Sequence, residues 1–142
     1  MAAEYTGFAG TFKTEISAVY TTVAQVRDIN GPNRSRDTVE VTSRDSAGQA
    51  KEYLAGLLEN GEVTFDLVFD PDTATHSASA AGGLQTLLDS GALNNFRVSF
   101  ADTTPTTATF AGLVTGFQPK LPLNGAQTAD VTIKISGQIT WA

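Results

Sequence analysis

From Val131 to Trp141 the chain alternates residue by residue. Val131, Ile133, Ile135, Gly137, Ile139 and Trp141 fall on one side, and Thr132, Lys134, Ser136, Gln138 and Thr140 on the other. Successive side chains of a strand point to opposite faces, so this period of two predicts a strand with one face on a core and the other polar. A second alternation sets Val63, Phe65, Leu67 and Phe69 against Thr64, Asp66, Val68 and Asp70, before Asp70-Pro71-Asp72 stops the strand. Phe96, Val98 and Phe100 alternate with Arg97 and Ser99. Residues 107–117 carry Phe110, Leu113, Val114 and Phe117, with Gly112 and Gly116 suggesting a bulge or bend. Val39 and Val41 alternate with Thr38, Glu40 and Thr42, and two weaker candidates lie around Phe12–Ile16 and Val19–Ile29. The pattern predicts about seven strands in an antiparallel β protein, because Thr, Val, Ile and Phe recur in short segments punctuated by Gly, Pro, Asn and Asp.

One segment reads as a helix. Leu84, Leu87 and Leu88 share a face at helical spacing, Ser79 offers an N-cap and Gly91 a stop. Residues 43–60 are too many for a hairpin turn, and they hold mixed charges with an apolar group, Tyr53, Leu54, Leu57 and Leu58. The expected architecture is therefore mainly β, an antiparallel β-sandwich or barrel with one short flanking helix and a long inter-strand loop over 43–60. At 142 residues and 41% hydrophobic content the chain fits one domain, 1–142, with residues 1–20 an N-terminal arm and first strand. The opening Met1–Tyr5 has neither a basic start nor an apolar continuation. No run approaches the roughly 20 apolar residues of a membrane span, so a soluble chain starting near Met1 and making no membrane contact is expected.

Chemistry finds little to use. Cysteine is absent, which removes disulfides and thiolate ligands. His76 with Asp70 and Asp72 reads as a turn with solvated acids rather than a metal site. A nucleophile elbow Gly-x-Ser-x-Gly is missing, Gly82-Gly83 lacks the rest of a phosphate loop, and Asp66 and Asp70 have no apolar pocket to separate their pKa values. No catalytic residue, cofactor or metal is expected. Nine Lys and Arg against fifteen Asp and Glu, a net charge of −6, argue against a protein that grips nucleic acid. The charges are also sorted along the chain. Arg27, Arg34, Arg36, Arg44 and Lys51 cluster early, whereas Glu52 to Phe96 holds no base but Glu52, Glu59, Glu62, Asp66, Asp70, Asp72 and Asp89. Such sorting is either an ordinary solvated surface or complementarity between copies.

Four motifs in succession carry a family resemblance: Val26-Arg27-Asp28-Ile29-Asn30-Gly31-Pro32, Asp37 to Ser43, Glu52-Tyr53-Leu54-Ala55-Gly56-Leu57 and Gly61-Glu62-Val63-Thr64-Phe65. Asp70-Pro71-Asp72 with His76 and the closing Thr132 to Gly137 continue it. Over residues 23–141 the chain resembles the tail tube proteins of flexible-tailed, siphovirus-type bacteriophages. The resemblance implies a structural subunit of the virion tail, assembled in the bacterial host cytoplasm. Its copies would form homo-hexameric rings stacked into a tube that carries the genome toward the host. The implied partners are further copies and other tail proteins, such as tape measure, terminator and distal tail proteins, with DNA in transit and not specifically bound. In this frame residues 43–60 become a ring-stacking loop bearing Arg44, Lys51, Tyr53, Leu54, Leu57 and Leu58. Thr64, Asp66, Asp70, Thr132 and Lys134 are the candidates to line the bore. Two alternatives share the expected fold: the tube of a type VI-like secretion system, and a β-sandwich module that binds a host surface. Against the second, Trp141 lies in phase with core residues and the tyrosines are scattered, so the sequence offers no aromatic platform.

Overall fold

The structure, a computed structural model, describes residues 6–80 and 82–142. Among them are nine strands, β1 Thr11–Ile16, β2 Val19–Thr22, β3 Val26–Asn30, β4 Ser35–Glu40, β5 Tyr53–Glu59, β6 Glu62–Val68, β7 Asn94–Ser99, β8 Thr107–Lys120 and β9 Thr128–Trp141, with one α-helix, α1 Leu84–Ser90. Seven strands form an antiparallel sheet in the order β2-β1-β7-β8-β9-β6-β3, and β4 and β5 make a separate hairpin. The mainly β, antiparallel expectation holds. Residues 1–5 of the expected N-terminal arm lie outside the described residues, and its first strand is β1, paired with β2 and β7.

The sheet curls because its two edge strands are neighbours in sequence. β2 and β3 are joined by only three residues, Val23–Gln25, which reach about 10 Å at most, so the edges are drawn together. The segment expected as one strand over Val19–Ile29 is therefore two, one at each edge. Val23 turns inward as a core residue and its N–H donates to the Phe12 carbonyl at 2.9 Å, while Val68 N–H donates to the Gln25 carbonyl at 3.0 Å. The crossover thus bonds to β1 on one side and β6 on the other.

Inside the curl the odd residues of β9 and β6 meet the even residues of β8, with Val63, Ile133 and Val114 in register across three strands. Phe12 packs in tilted contact with Phe65 and Phe96, with centroids at 4.5 and 5.6 Å, and Phe96 lies 6.1 Å from Phe110. The predicted bulge falls at Gly116, where the β8–β9 register shifts after Val114. Gly112 serves a different need, since a Cβ there would press on the Ile133 side chain and the Lys134 carbonyl at 2.9 Å. The helix buries Leu84 and Leu87 and packs on β8. It ends at Gly91 as expected but starts later than Ser79. Gly83 is the N-cap residue, and the Leu84 and Thr86 N–H groups donate to the Thr75 and Ser77 carbonyls instead of to a capping side chain.

Candidate assembly surfaces

The long loop expected over 43–60 is partly strand. Tyr53–Glu59 is β5, paired with β4 from Ser35↔Glu59 to Glu40↔Tyr53, and Val41 N–H extends the ladder to the Glu52 carbonyl. Only the turn beyond it is loop, and Arg44 and Lys51 sit there. The missing signal has a physical cause. Alternation marks a strand most clearly when one face is buried, and β5, exposed at all but Gly56, carries its apolar residues without that period. Leu54 faces one side with Val39 and Val41, whereas Tyr53 faces the other, and the register shift between Arg36 and Thr38 puts Leu58, opposite Arg36, on the Tyr53 side. The expected apolar group is thus split over both faces of a ribbon, with Leu57 84% and Tyr53 54% exposed.

This ribbon leaves the barrel through a rigid root. Gly61 has φ +71°, and a Cβ there would run into the Asn33 carbonyl oxygen, so the strands entering and leaving the arm touch backbone to backbone. Asn60 is buried, its Nδ2 donating to the Gly137 carbonyl and its Oδ1 accepting from Arg34 Nε at 3.1 Å. The Arg34 guanidinium lies over the Trp141 ring at 5.7 Å, and Trp141 stacks on Phe100 at 5.9 Å. Outside these, Lys134 Nζ bonds Glu59 at 2.9 Å, which pulls the Glu59 carboxyl below its ordinary range and pushes the Lys134 ammonium up. Asn60 was not singled out by the sequence, and Arg34 and Gly61 entered it only within the basic cluster and a motif, because nothing in their spacing shows that they meet β9.

Of the residues expected to face a bore, Thr64 and Asp66 on β6 and Thr132 and Lys134 on β9 do share the outer face of the sheet, with Thr64 directly opposite Thr132. Asp70 does not belong with them. The strand ends at Val68, and Asp70 lies in the following turn, where its N–H donates to His76 Nδ1 and its carboxylate accepts the Asp72 N–H. The outer face is also electrically paired. Arg27 binds Asp66 through Nε at 2.8 Å and through a second nitrogen, and Lys120 binds Asp130 at 2.6 Å. Burial raises the Asp66 pKa, but the Asp28 N–H and Arg27 outweigh it and leave the carboxyl below its ordinary value. One base of the early cluster therefore meets its acid within the same chain.

His76 sits on no such surface. It is fully buried, Nδ1 accepts the Asp70 N–H at 3.2 Å, and Nε2 donates to the Ala24 carbonyl at 2.7 Å. The turn was expected; the buried role as a clamp on the Val23–Gln25 crossover was not. A ring with both nitrogens committed to backbone has no free position for a metal or a proton relay.

A filled barrel carrying a rigidly rooted ribbon with apolar side chains on both faces is a subunit of an assembly, since such a two-stranded ribbon is at best marginally stable in water on its own. The lambda phage tail tube protein family model matches residues 4–142, and the chain belongs to that family. A chain from the tail of an empty gene transfer agent particle has 20% identity and a TM-score of 0.81, covering 98% of this chain and 99% of that one. A chain from the sheath-tube complex of an extracellular contractile injection system has 15% identity and a TM-score of 0.67, with 98% and 93% covered. The tail tube of SPP1 has 7% identity and a TM-score of 0.66, with 93% and 75% covered. These likenesses concern the fold. No curated protein matches. The chain is a structural tube subunit of a virion tail.

Proposed function

We propose that copies of this chain close into hexameric rings, that the rings stack through the β4–β5 arm, and that the resulting bore carries the genome from capsid to host. The exposed apolar arm carries this reading, because it is built at the cost of ordering some two dozen residues that the barrel core does not use. Ring closure has its own candidates in the edge strands β2 and β3, whose outer N–H and C=O groups want partners. The six-fold symmetry of the gene transfer agent tail supports a ring of six. Tape measure, terminator and distal tail proteins are the partners proposed at the ends of the tube. The role is structural and not catalytic, and DNA passes without specific binding.

The test is to shorten the arm. Because Asn60 and Glu59 belong to the root, the cut should spare them, with residues 37–57 replaced by a short Gly/Ser link. The variant should keep its circular dichroism and melting behaviour and yield no tubes by negative-stain microscopy at concentrations where the intact chain polymerises. Normal tubes from this variant would remove the arm from ring stacking.

A further inference from the structure

The turn between β8 and β9, residues 121–127, displays two leucines that the fold leaves uncovered: Leu121 is 72% and Leu123 96% exposed. The turn is braced. Pro122 stands between them, and the Gly125 backbone lies so close to its ring that a Cβ would sit 3.1 Å from Pro122 Cγ. Gln127 ties the turn down, its carbonyl accepting the Phe69 N–H at 2.9 Å and its Nε2 donating to the Phe69 carbonyl at 3.3 Å. The same bonds place Asp70 and Asp72 beside the turn, and neither has an ion-pair partner among the described residues.

The position of this turn gives it meaning. Along the β6–β9 ladder, Val68↔Thr128 marks the end at the turn and Glu62↔Lys134 the end at the arm root. Identical rings that stack head to tail need complementary opposite faces, so one end of the subunit must receive what the other presents. The arm presents Leu57, 84% exposed, with Arg44 and Lys51, alongside Asp45 and Glu52, at its tip. We propose that the occupant of the β8–β9 turn is a second copy of this chain: Leu121 and Leu123 of one subunit pack around the exposed Leu57 of an arm from the next ring. Arg44 and Lys51 are thereby brought toward Asp70 and Asp72. This assignment rests on the arm being the ring-to-ring connector.

The chain has no cysteine, so Leu57→Cys and Leu123→Cys can be carried on separate copies and mixed before polymerisation. Mild oxidation of the tubes should give an intermolecular disulfide from the mixture and only background from either variant alone. The double variant Leu121→Ser/Leu123→Ser should melt like the parent and raise the concentration needed for tubes about tenfold or more, since two leucines lose their burial. Unchanged polymerisation of that variant, with no disulfide in the mixture, overturns the docking and leaves the turn to another tail protein. If the shortened-arm variant still fails to polymerise in that case, the connector role of the arm stands without this receiver; if it polymerises normally, the connector role falls as well.

Discussion

A histidine holds the barrel shut. His76 bonds the crossover at Ala24 and the end of the β6 extension at Asp70, and the Thr75 hydroxyl beside it accepts the Ala24 N–H at 3.3 Å. Removing the ring leaves two half-buried backbone groups without this partner and a cavity next to Phe69, whose ring centroid is 6.2 Å away. His76→Ala should lower unfolding stability by about 2–5 kcal/mol, read from the urea midpoint. Ile135→Ala, which empties a core position on β9, should cost a similar 2–5 kcal/mol or so. Asp66 acts differently, through charge. Its folded-state pKa lies below the ordinary 3.8, so its contribution is present above that value and is lost as pH falls through the folded-state pKa. Asp66→Asn should therefore cost about 1 kcal/mol near neutral pH, the scale of a surface pair, and the gap to the parent should close in strong acid. A gap that persists at low pH would mean that packing, not charge, holds Asp66.

At the scale of elements, the legible parts are those where one face meets the core and the other meets water. β9 and β6 read cleanly because Ile133, Val131, Val63 and Phe65 are buried while Thr132, Asp130, Thr64 and Asp66 are not. β5 was invisible as a strand because its apolar residues are exposed and not confined to one face, so their order, Tyr-Leu-Ala-Gly-Leu-Leu, obeys no period within this chain. The split of β2 from β3 was hidden for the opposite reason: Val23 is buried in the crossover, so the apolar pattern runs on through a place where the strand ends. The arm root is backbone geometry, which side-chain patterns do not report. Gly61→Ala tests it directly. With φ at +71° and the Asn33 carbonyl in the way, the methyl should cost about 1–3 kcal/mol in thermal unfolding and impair polymerisation more than the loss of stability alone explains. A parent-like melt would show that the root yields easily.

For the whole molecule, the question is which wall the genome would see. The outer face of β6, β9 and the end of β8 carries Arg27 with Asp66, Lys120 with Asp130 and Lys134 with Glu59, and between them Thr64, Thr132 and Gln118. Each cation on this face is held by an anion of the same chain, so few are free to take a phosphate. A wall of this kind lets a polyanion slide, because gripping phosphates with cations releases counterions and makes binding tight. If this face lines the bore, one uncompensated base per subunit should spoil it. Thr132→Lys is suited to the test: Thr132 is on the outer face opposite Thr64 and Gly116, away from the core and from the arm root. Tubes of this variant should form with normal diameter and retain duplex fragments threaded through them at low salt. They should release the fragments as salt rises, with the logarithm of the binding constant falling by about 0.9 per phosphate contact for each unit of log salt. Sedimentation of tubes with labelled DNA across a salt series reads this out. Parent and Thr132→Lys tubes that co-sediment the same amount of DNA at every salt concentration would place β6 and β9 away from the bore.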